Sequence, residues 1–345
     1  MKLLILTQKV DPNDPVLGFF HRWIVEFAKH YEKVTVVALG VGKYNLPDNV
    51  KVLSLGKERG VSKLSYIINF YRYIWRERRQ YDAVFVHMNQ EYVLLGALFW
   101  RFFGRKVYLW RNHAKGTALT RLAVFLSNKV FCTSSGSFTA RFRKTKIMPV
   151  GVDTNFFKKD ITVYKKTNSI LFFGRISPVK KVEVFVESCR LLKEKGIIFL
   201  ADIVGDPTNL DTSYYVQIKN LVANAGLGHV VNFKPAISNN EASALYSQYD
   251  VYVNATPAGS LDKTILEALA CETLVVTSNQ ALVGFLDDRF IFTENNSHCL
   301  AERLLEIMRW PEAKKNHEGV LGREKVQKKH DLVLLVKEIR VESGL

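Results

Sequence analysis

The chain has 345 residues, with 49 lysines and arginines against 33 aspartates and glutamates, which gives a formal net charge of +16. This length exceeds that of a typical single domain and predicts two domains of about 150 to 180 residues each. The four cysteines lack the spacing of a disulfide framework or a zinc site, and no apolar run approaches the ~18 residues that a membrane-spanning helix needs. The apolar start at Met1 is also too short for a signal peptide. Composition therefore excludes disulfide-rich, zinc-stabilised and integral membrane proteins, and it predicts a cytoplasmic protein, soluble or peripheral, with reduced thiols.

The positive charge is confined to the first half of the chain. All of the excess falls in residues 1–150, because the remaining residues carry 24 charges of each sign. No acidic residue occurs between Glu91 and Asp153. Such segregation indicates an anionic partner, with nucleic acid and an anionic membrane as the candidates, whereas a surface made basic for solubility alone is the alternative.

The first half alternates predicted strands and predicted helices. The strands cover residues 3–7, 34–39, 50–55, 83–87, 106–110, 129–132 and 146–149, and the helices cover 18–30, 61–79, 92–103 and 117–127. This alternation predicts βαβ units and a parallel sheet covered on both faces. Ligands of such sheets bind beyond the carboxyl ends of the strands.

Two segments of this half carry more apolar and aromatic surface than one core face needs. Helix 61–79 has two apolar stripes flanked by arginines, one formed by Leu64, Ile67, Ile68, Tyr71, Ile74 and Trp75 and the other by Tyr66, Phe70 and Tyr73. Residues 99–106 likewise mix aromatic and basic side chains. This pattern fits insertion at a lipid headgroup boundary, while a helix packed between the sheet and a loop is the alternative. Taken with the charge, it favours an anionic membrane surface over nucleic acid, for which the sequence has no recognised motif.

After a linker at 150–168, the second half again alternates strands and helices. The predicted strands are 169–173, 198–204, 230–233, 251–253, 273–277 and 290–292, and the predicted helices are 181–195, 213–225, 240–248 with Ser238 as its cap, and one that begins after Asp262. This pattern predicts a second parallel sheet.

Two strand-to-helix turns of the second half carry the candidate chemistry. In the first, Arg175 offers a fork of donors to a diphosphate, and Lys180 offers a point charge nearby. In the second, the amides of residues 260–264 stand at a helix N-terminus beside Lys263, where they attract phosphate. Glu267, one turn later, could accept hydrogen bonds from sugar hydroxyls, so the pair of turns fits a nucleotide. An ordinary capped helix with Glu267 in solvent is the alternative.

Three motifs, in order, resemble the glycosyltransferases of family 4. Residues 173–180 are similar to the family's G-R-x-x-P-x-K turn, residues 266–270 to its L-E-A-M-A helix, and residues 151–156 to its G-V-D-x-x-F linker. The resemblance implies an α/β fold of the GT-B class, with two Rossmann-like domains facing across a cleft. It assigns residues 1–155 to an acceptor-binding domain, 165–330 to a nucleotide-sugar-binding domain and 331–345 to a C-terminal helix.

The resemblance also implies residue roles. Arg175 and Lys180 would hold the donor diphosphate, and His113 would lie near the transferred sugar, with His87 as its rival. These three, His113, Arg175 and Lys180, are the predicted catalytic residues. The predicted donor-binding residues are Gly18, Gly174, Ala236, Ile237, Gly259, Ser260, Asp262, Lys263, Thr264 and Glu267. No metal or other cofactor is expected, since the nucleotide-sugar is itself a substrate.

The sequence departs from the family pattern at one point that concerns the sugar. The family usually carries another glutamate eight residues before Glu267, where this chain has Gly259. Asp262 could substitute for it from nearby.

The expected activity is hexosyl transfer, with retention, from a UDP- or GDP-sugar to a glycan or lipid-linked acceptor. It would serve polysaccharide, lipopolysaccharide or glycolipid biosynthesis at the inner face of the cell membrane. A catalytically inactive GT-B module that binds a sugar nucleotide is the alternative, and a nucleic-acid-binding protein is a more distant one.

Overall fold

The computed structural model describes residues 1–257 and 261–344, and the chain divides into two compact units. The first unit comprises Met1–Gly151, Ser238–Asn240 and the C-terminal segment from Leu332, and the second comprises Val152–Ile237 and Glu241–Asp331. The division after Gly151 lies inside the segment predicted as the linker. The return of the C-terminal segment to the first unit was not indicated by the sequence.

The first unit contains a parallel sheet. Within the described residues its strands are β1 (Lys2–Val10), β2 (Lys33–Val41), β3 (Val50–Ser54), β4 (Ala83–His87), β5 (Lys106–Trp110), β6 (Lys129–Cys132) and β7 (Thr145–Ile147). Their order in the sheet is β3-β2-β1-β4-β5-β6-β7. The order of the strands reverses between β1 and β4, so the loops that follow these two strands diverge and leave a crevice at the sheet edge.

Helices cover both faces of this sheet. These are α1 (Phe19–Ala28), α2 (Lys63–Arg76), α3 (Gln90–Phe102) and α4 (Ala118–Leu126), together with the C-terminal helix α11 (Leu332–Ser343). One core joins α1 and α11 to the sheet through residues such as Phe27 and Leu335, and a second core lies beneath α2, α3 and α4. A hydrogen bond of 2.6 Å from the Tyr108 hydroxyl to the Ser343 carbonyl also fastens α11 to the sheet.

Helix α2 buries one of its two predicted apolar stripes and a single residue, Ile74, of the other. Phe70 and Ile74 enter the core, and Tyr66 and Tyr73 pack at its margin. The rest of the second stripe faces outward, with Trp75 55% exposed, together with Leu64, Ile67, Ile68 and Tyr71. The sequence showed two stripes without indicating which one faces the sheet.

The second unit contains a smaller parallel sheet. Within the described residues its strands are β8 (Ser169–Phe173), β9 (Leu200–Val204), β10 (Val231–Lys234), β11 (Val251–Asn254) and β12 (Leu274–Thr277), in the order β10-β9-β8-β11-β12. Its helices are α5 (Val182–Glu194), α6 (Thr212–Asn224), α7 (Ala242–Ser247), α8 (Lys263–Ala270), α9 (Ser297–Met308) and α10 (Glu312–His330). The order of the strands reverses between β8 and β11.

Two local predictions for this unit were wrong. Residues 290–292 do not add a strand, because Asp288–Phe290 is a 3-10 turn and Ile291 forms only an isolated bridge to Thr277. Ser238 does not cap the next helix, which starts at Ala242 with Glu241 in the N-cap position. Helices α9 and α10 were not predicted.

The cysteines contribute no cross-links among the described residues. Cys132, Cys189 and Cys271 are free and buried, and Cys299 is free and partly exposed. No helix in the described part of the chain combines the length and the apolar character that crossing a bilayer requires.

Candidate functional site

Both predicted turns of the second unit lie at the reversal point of its sheet. The turn containing Gly174 and Lys180 follows β8, and the loop that leads to α8 follows β11. These strands are neighbours and parallel, with Val253 aligned to Phe172. Their loops therefore leave the same edge of the sheet in diverging directions, which is where open α/β sheets bind ligands.

Two glycines allow the turns after β8 and β9 to touch. Gly174 and Gly205 have φ angles of 138° and 147°, a region that favours glycine. A Cβ at Gly205 would lie 2.0 Å from the Gly174 carbonyl oxygen, so no side chain fits there. The Ile176 amide then donates a hydrogen bond of 3.1 Å to the Asp206 carbonyl. Gly205 was missed as a site residue, although the Gly-Asp-Pro turn after a strand was a usable signal.

The loop after β10 joins the same edge. The Ala236 amide donates to the Asp206 carboxylate at 3.1 Å, and Ala236 is exposed, while Ile237 is partly buried. Arg175 is exposed beside them. The structure thus brings the predicted residues Gly174, Arg175 and Ala236 to one edge of the second sheet.

The centre of the site is an ion pair between Lys180 and Asp262. The Lys180 ammonium contacts the Asp262 carboxylate, whose side chain is only 15% exposed. Asn254 Nδ2 donates to the same carboxylate at 3.0 Å, and the Thr264 hydroxyl donates to its other oxygen at 3.0 Å. This pair links the turn after β8 directly to the start of α8.

Two further residues of the network were not predicted from the sequence. Asn254 Nδ2 also contacts the Tyr252 hydroxyl at 3.2 Å, and that hydroxyl lies 2.8 Å from Thr264 Oγ1. Tyr252 and Asn254 belong to β11 and are buried. In the sequence they looked like ordinary strand residues. Their polar atoms become part of the site only in the folded chain, where the end of β11 packs against the start of α8.

Asp262 occupies the N-cap position of α8, but its side chain does not cap the helix. The predicted capping role is wrong because the carboxylate turns toward Lys180 and Asn254 instead. Burial alone would disfavour its charged form, yet the Lys180 charge and the hydrogen bonds from Lys180, Asn254 and Thr264 outweigh this cost and lower the pKa of Asp262 to about 2.

Replacing Asp262 by asparagine should destabilise the protein in a pH-dependent way. Because the pKa of Asp262 is lowered from 3.8 to about 2, the ionised carboxylate stabilises the fold fully above pH 3.8 and loses this effect as the pH falls through about 2. We expect the free energy of unfolding of D262N, measured with urea, to be about 2 kcal/mol lower than that of the native protein at pH 5 and at pH 7. The difference should be smaller at pH 3. A difference that stays constant down to pH 3 would contradict the ionised pair.

Glu267 lies in α8 and is 3% exposed, so the alternative that places it in solvent is wrong. Lys263 and Thr264, at the start of the same helix, are partly buried. Gly259 and Ser260, also predicted as donor-binding residues, lie outside the described residues.

In the first unit, Gly18 stands where the loop after β1 enters α1. A Cβ on this residue would lie 2.6 Å from the carbonyl oxygens of Pro12 and Asp14, so the loop closes only on a glycine. The tight loop holds the helix start close to the chain that follows β1.

The two candidate histidines of the first unit differ in accessibility. His87 is buried at the end of β4 and stacks on Phe20 with ring centroids 3.8 Å apart. His113 is exposed in the loop after β5, and its Nδ1 lies 3.0 Å from the Lys115 carbonyl oxygen. Exposure favours His113 as the residue that can meet a ligand.

No metal cluster accompanies these side chains. Within residues 1–257 and 261–344, no group of three or more His, Cys, Asp or Glu side chains is arranged to hold a metal ion.

Comparison with known proteins agrees with this geometry. Residues 153–318 match the family described as Glycosyl transferases group 1. This match covers most of the second unit. The resemblance found in the sequence motifs is confirmed, and the matched range contains Arg175, Lys180 and the helix with Glu267.

Curated relatives of this domain align over part of their length. The D-inositol 3-phosphate glycosyltransferase of Pseudarthrobacter chlorophenolicus is 30% identical over 151 residues, which are 41% of this chain and 35% of the relative. The putative colanic acid biosynthesis glycosyltransferase WcaL of Escherichia coli is 24% identical over 172 residues, 47% of this chain and 41% of the relative. The aligned part thus spans well under half of these relatives.

Solved structures share the fold over the whole chain. Anabaena Alr3699/HepE in complex with UDP has a TM-score of 0.80 at 18% identity, with 100% of both chains covered. The sucrose-phosphate synthase of Thermosynechococcus elongatus has a TM-score of 0.76 at 15% identity, covering 100% of this chain and 98% of that one. The predicted fold class, two Rossmann-like α/β domains of the GT-B type, is confirmed.

Proposed function

We propose that this protein transfers a hexose, with retention, from a UDP- or GDP-sugar to a glycan or lipid-linked acceptor at an anionic membrane surface on the cytoplasmic side. The observation that carries the donor assignment is the junction of Lys180 and Asp262 at the reversal point of the second sheet. It joins the turn at residues 173–180 to the start of the helix that contains residues 266–270, and both segments resemble the glycosyltransferase family.

The donor diphosphate would lie against the turn after β8 and the start of α8. Arg175 is exposed there and presents a planar fork suited to phosphate oxygens, and Lys180 supplies a second cation. The α8 amides add the positive end of a helix dipole. Anabaena Alr3699/HepE, which shares this fold, has been solved with UDP and with UDP-glucose.

This site would stabilise the negative charge that develops on the leaving diphosphate. As the sugar departs, negative charge grows on the phosphate oxygen that leaves the anomeric carbon. Cations and amides fixed before the reaction stabilise that charge without reorganising. His113 would lie near the transferred sugar, and the proposal requires no resident metal or other cofactor.

Asp262 would serve in place of the glutamate that the family carries at the position of Gly259. Its carboxylate contacts the Lys180 ammonium, so the lysine is directed toward the junction. When the diphosphate shares Lys180, the Asp262 carboxylate becomes available to a sugar hydroxyl. The proposal therefore makes Asp262 a contact of the transferred sugar.

The membrane part of the proposal is supported by an exposed apolar surface on α2, α3 and α4. Its members, which we call the α2–α4 surface, are Leu64, Ile67, Ile68, Tyr71, Trp75, Leu98, Phe102, Leu119, Leu122 and Phe125. The Trp75 ring contacts Phe99 and Phe103 at centroid distances of 6.1 Å, which joins α2 to the end of α3. Arg72, Arg76 and Arg79 are exposed on α2 and just beyond its end. Aromatic and aliphatic side chains ringed by arginines are typical of interfacial helices.

A two-stage experiment tests the activity. Thermal shift with UDP- and GDP-sugars should identify the donor, since a ligand at 100 times its dissociation constant stabilises by about 2.7 kcal/mol. Incubation of that donor with lipid-linked and soluble glycan acceptors should then release the free nucleotide only when an acceptor is present. NMR of the product's anomeric carbon reads the stereochemistry. Donor binding without transfer or slow donor hydrolysis would indicate an inactive binding module instead.

Replacing Glu267 by glutamine should weaken donor binding while leaving acceptor binding unchanged. The glutamine keeps the shape of the side chain but removes the charge that would accept hydrogen bonds from the ribose, and a charge-assisted hydrogen bond is worth about 1.5 to 3 kcal/mol. Calorimetric titration of the donor measures the change. Native protein that binds ribose and 2'-deoxyribose nucleotides equally well would contradict this role of Glu267.

A further inference from the structure

A groove in the first unit lies at the end of α4. It has a volume of about 570 Å³ and is lined by Arg121, Val124, Phe125, Phe142, Arg143 and Lys144. Three of the six lining residues are aromatic or aliphatic, and the other three are cationic. A groove of this composition fits an amphiphile with an anionic head.

The cations of this groove lack acidic partners. Among the described residues, Arg121, Arg143, Lys144 and the neighbouring Arg101 form no salt bridge. The sequence from Tyr92 to Val152 supplies no carboxylate to neutralise them. Uncompensated positive charge held in one place attracts a phosphate more strongly than charge paired within the fold.

Lys144 of the groove and the neighbouring Arg101, which does not line it, are held in place by backbone oxygens. Lys144 Nζ donates to the carbonyls of Phe125 and Ser127 at 3.0 and 2.7 Å. Arg101 Nη2 donates to the Leu126 carbonyl at 3.0 Å. Partial burial, together with the nearby Arg101 charge, lowers the pKa of Lys144. Lys144 therefore loses little freedom on binding an anion, because the end of α4 already fixes its side chain.

The apolar side of the groove continues into the α2–α4 surface. Phe125 is 67% exposed and belongs to both, and Leu122 lies one turn before it on α4. Phe142 packs against the core beneath α4 and closes the other side. An alkyl chain that left a bound phosphate would therefore find continuous apolar contact.

We propose that this groove binds the phosphate of an anionic lipid, with the first carbons of its chains against Phe125 and Phe142. The inference rests on the membrane association proposed above but assigns it a discrete site, distinct from general attraction between a basic face and a charged bilayer. Arg121, Arg143 and Lys144 would contact the phosphate. The site would thus position the first domain on the membrane by a specific contact.

The experiment uses the full chain and dihexanoyl phosphatidylglycerol below its micelle concentration, so that no bilayer is present. Calorimetric titration should detect binding of this lipid and at least about tenfold weaker binding of inorganic phosphate and of dihexanoyl phosphatidylcholine. R121Q and R143Q should each lower the affinity for the lipid about tenfold, because each removes one charge-assisted contact. F125S should lower the affinity for the lipid but leave the affinity for inorganic phosphate unchanged.

R141Q is the matched control, since Arg141 is exposed nearby and stacks on Phe138 without lining the groove. It should bind the lipid like the native protein. Equal binding of phosphate and lipid, equal binding of the zwitterionic lipid, or no effect of R121Q and R143Q would each overturn the site. If the protein binds the soluble lipid but does not bind anionic vesicles, the groove is a lipid site and the proposed membrane association is wrong.

Discussion

Replacing Lys180 by alanine should lower the rate of sugar transfer at least about tenfold, the effect of losing roughly 1.4 kcal/mol of transition-state stabilisation. The same change should also destabilise the fold by roughly 2 kcal/mol, because Asp262 would remain largely buried without the ammonium that it contacts. Steady-state kinetics with the donor identified by thermal shift measures the first effect, and urea unfolding measures the second. A structural role alone would change stability and leave kcat of the folded fraction unaltered.

Two further variants separate the roles of this lysine. In K180A/D262N the uncompensated carboxylate is gone, so most of the stability should return while transfer stays low. Arg175→Ala removes an exposed side chain, and it should therefore lower transfer about tenfold with the free energy of unfolding unchanged. If both Arg175→Ala and Lys180→Ala keep full activity, the donor does not bind at this edge of the sheet.

The architecture was predictable because apolar periodicity alternated cleanly along the chain. Strands such as β4 and β8 are short, buried runs followed by turn residues, and the structure contains both with the predicted bounds. The failures arose where pattern is weak. Residues 290–292 are apolar enough for a strand, but they meet the sheet only through an isolated bridge at Thr277. Helix α10 has almost no apolar face that would reveal it in the sequence.

The site was predictable only in part, because its centre depends on contacts between distant segments. Lys180 and Asp262 were both selected, yet nothing in either motif indicates that their side chains pair. Asn254 donates to Asp262 from the end of a buried strand. Sequence periodicity reports which side chains are buried, but not which polar atoms meet once the strand ends converge.

The orientation of α2 also could not be predicted from the sequence. Both of its stripes are apolar, so periodicity alone does not decide which one packs on the sheet. The structure buries Phe70 and leaves Ile68 and Trp75 exposed. Arg72 and Arg76 are exposed as well, so basic and apolar side chains share the outer surface of this helix.

Vesicle binding should depend on the arginines beside this exposed stripe. Each basic side chain near an anionic bilayer is worth about 1 kcal/mol, so replacing Arg72, Arg76 and Arg79 by glutamate should cost at least about 3 kcal/mol, roughly a hundredfold in affinity. We expect the native protein to co-sediment with phosphatidylglycerol vesicles and little with neutral ones. Rising salt should release it only in part, because screening weakens the charge interactions but not the inserted Trp75.

The triple variant needs two controls. Arg76 Nε contacts the Glu77 carboxylate at 3.0 Å, so R72E/R79E, which spares this pair, should still weaken binding by about 2 kcal/mol. K195E/K325E/K328E changes the net charge by the same amount at exposed positions of the second unit and should bind vesicles like the native protein. If that control loses binding as fully as the arginine variant, net charge alone governs association. If the arginine variant still binds at low salt, the basic half of the chain serves a soluble anionic acceptor, and the exposed face of α2 has another use.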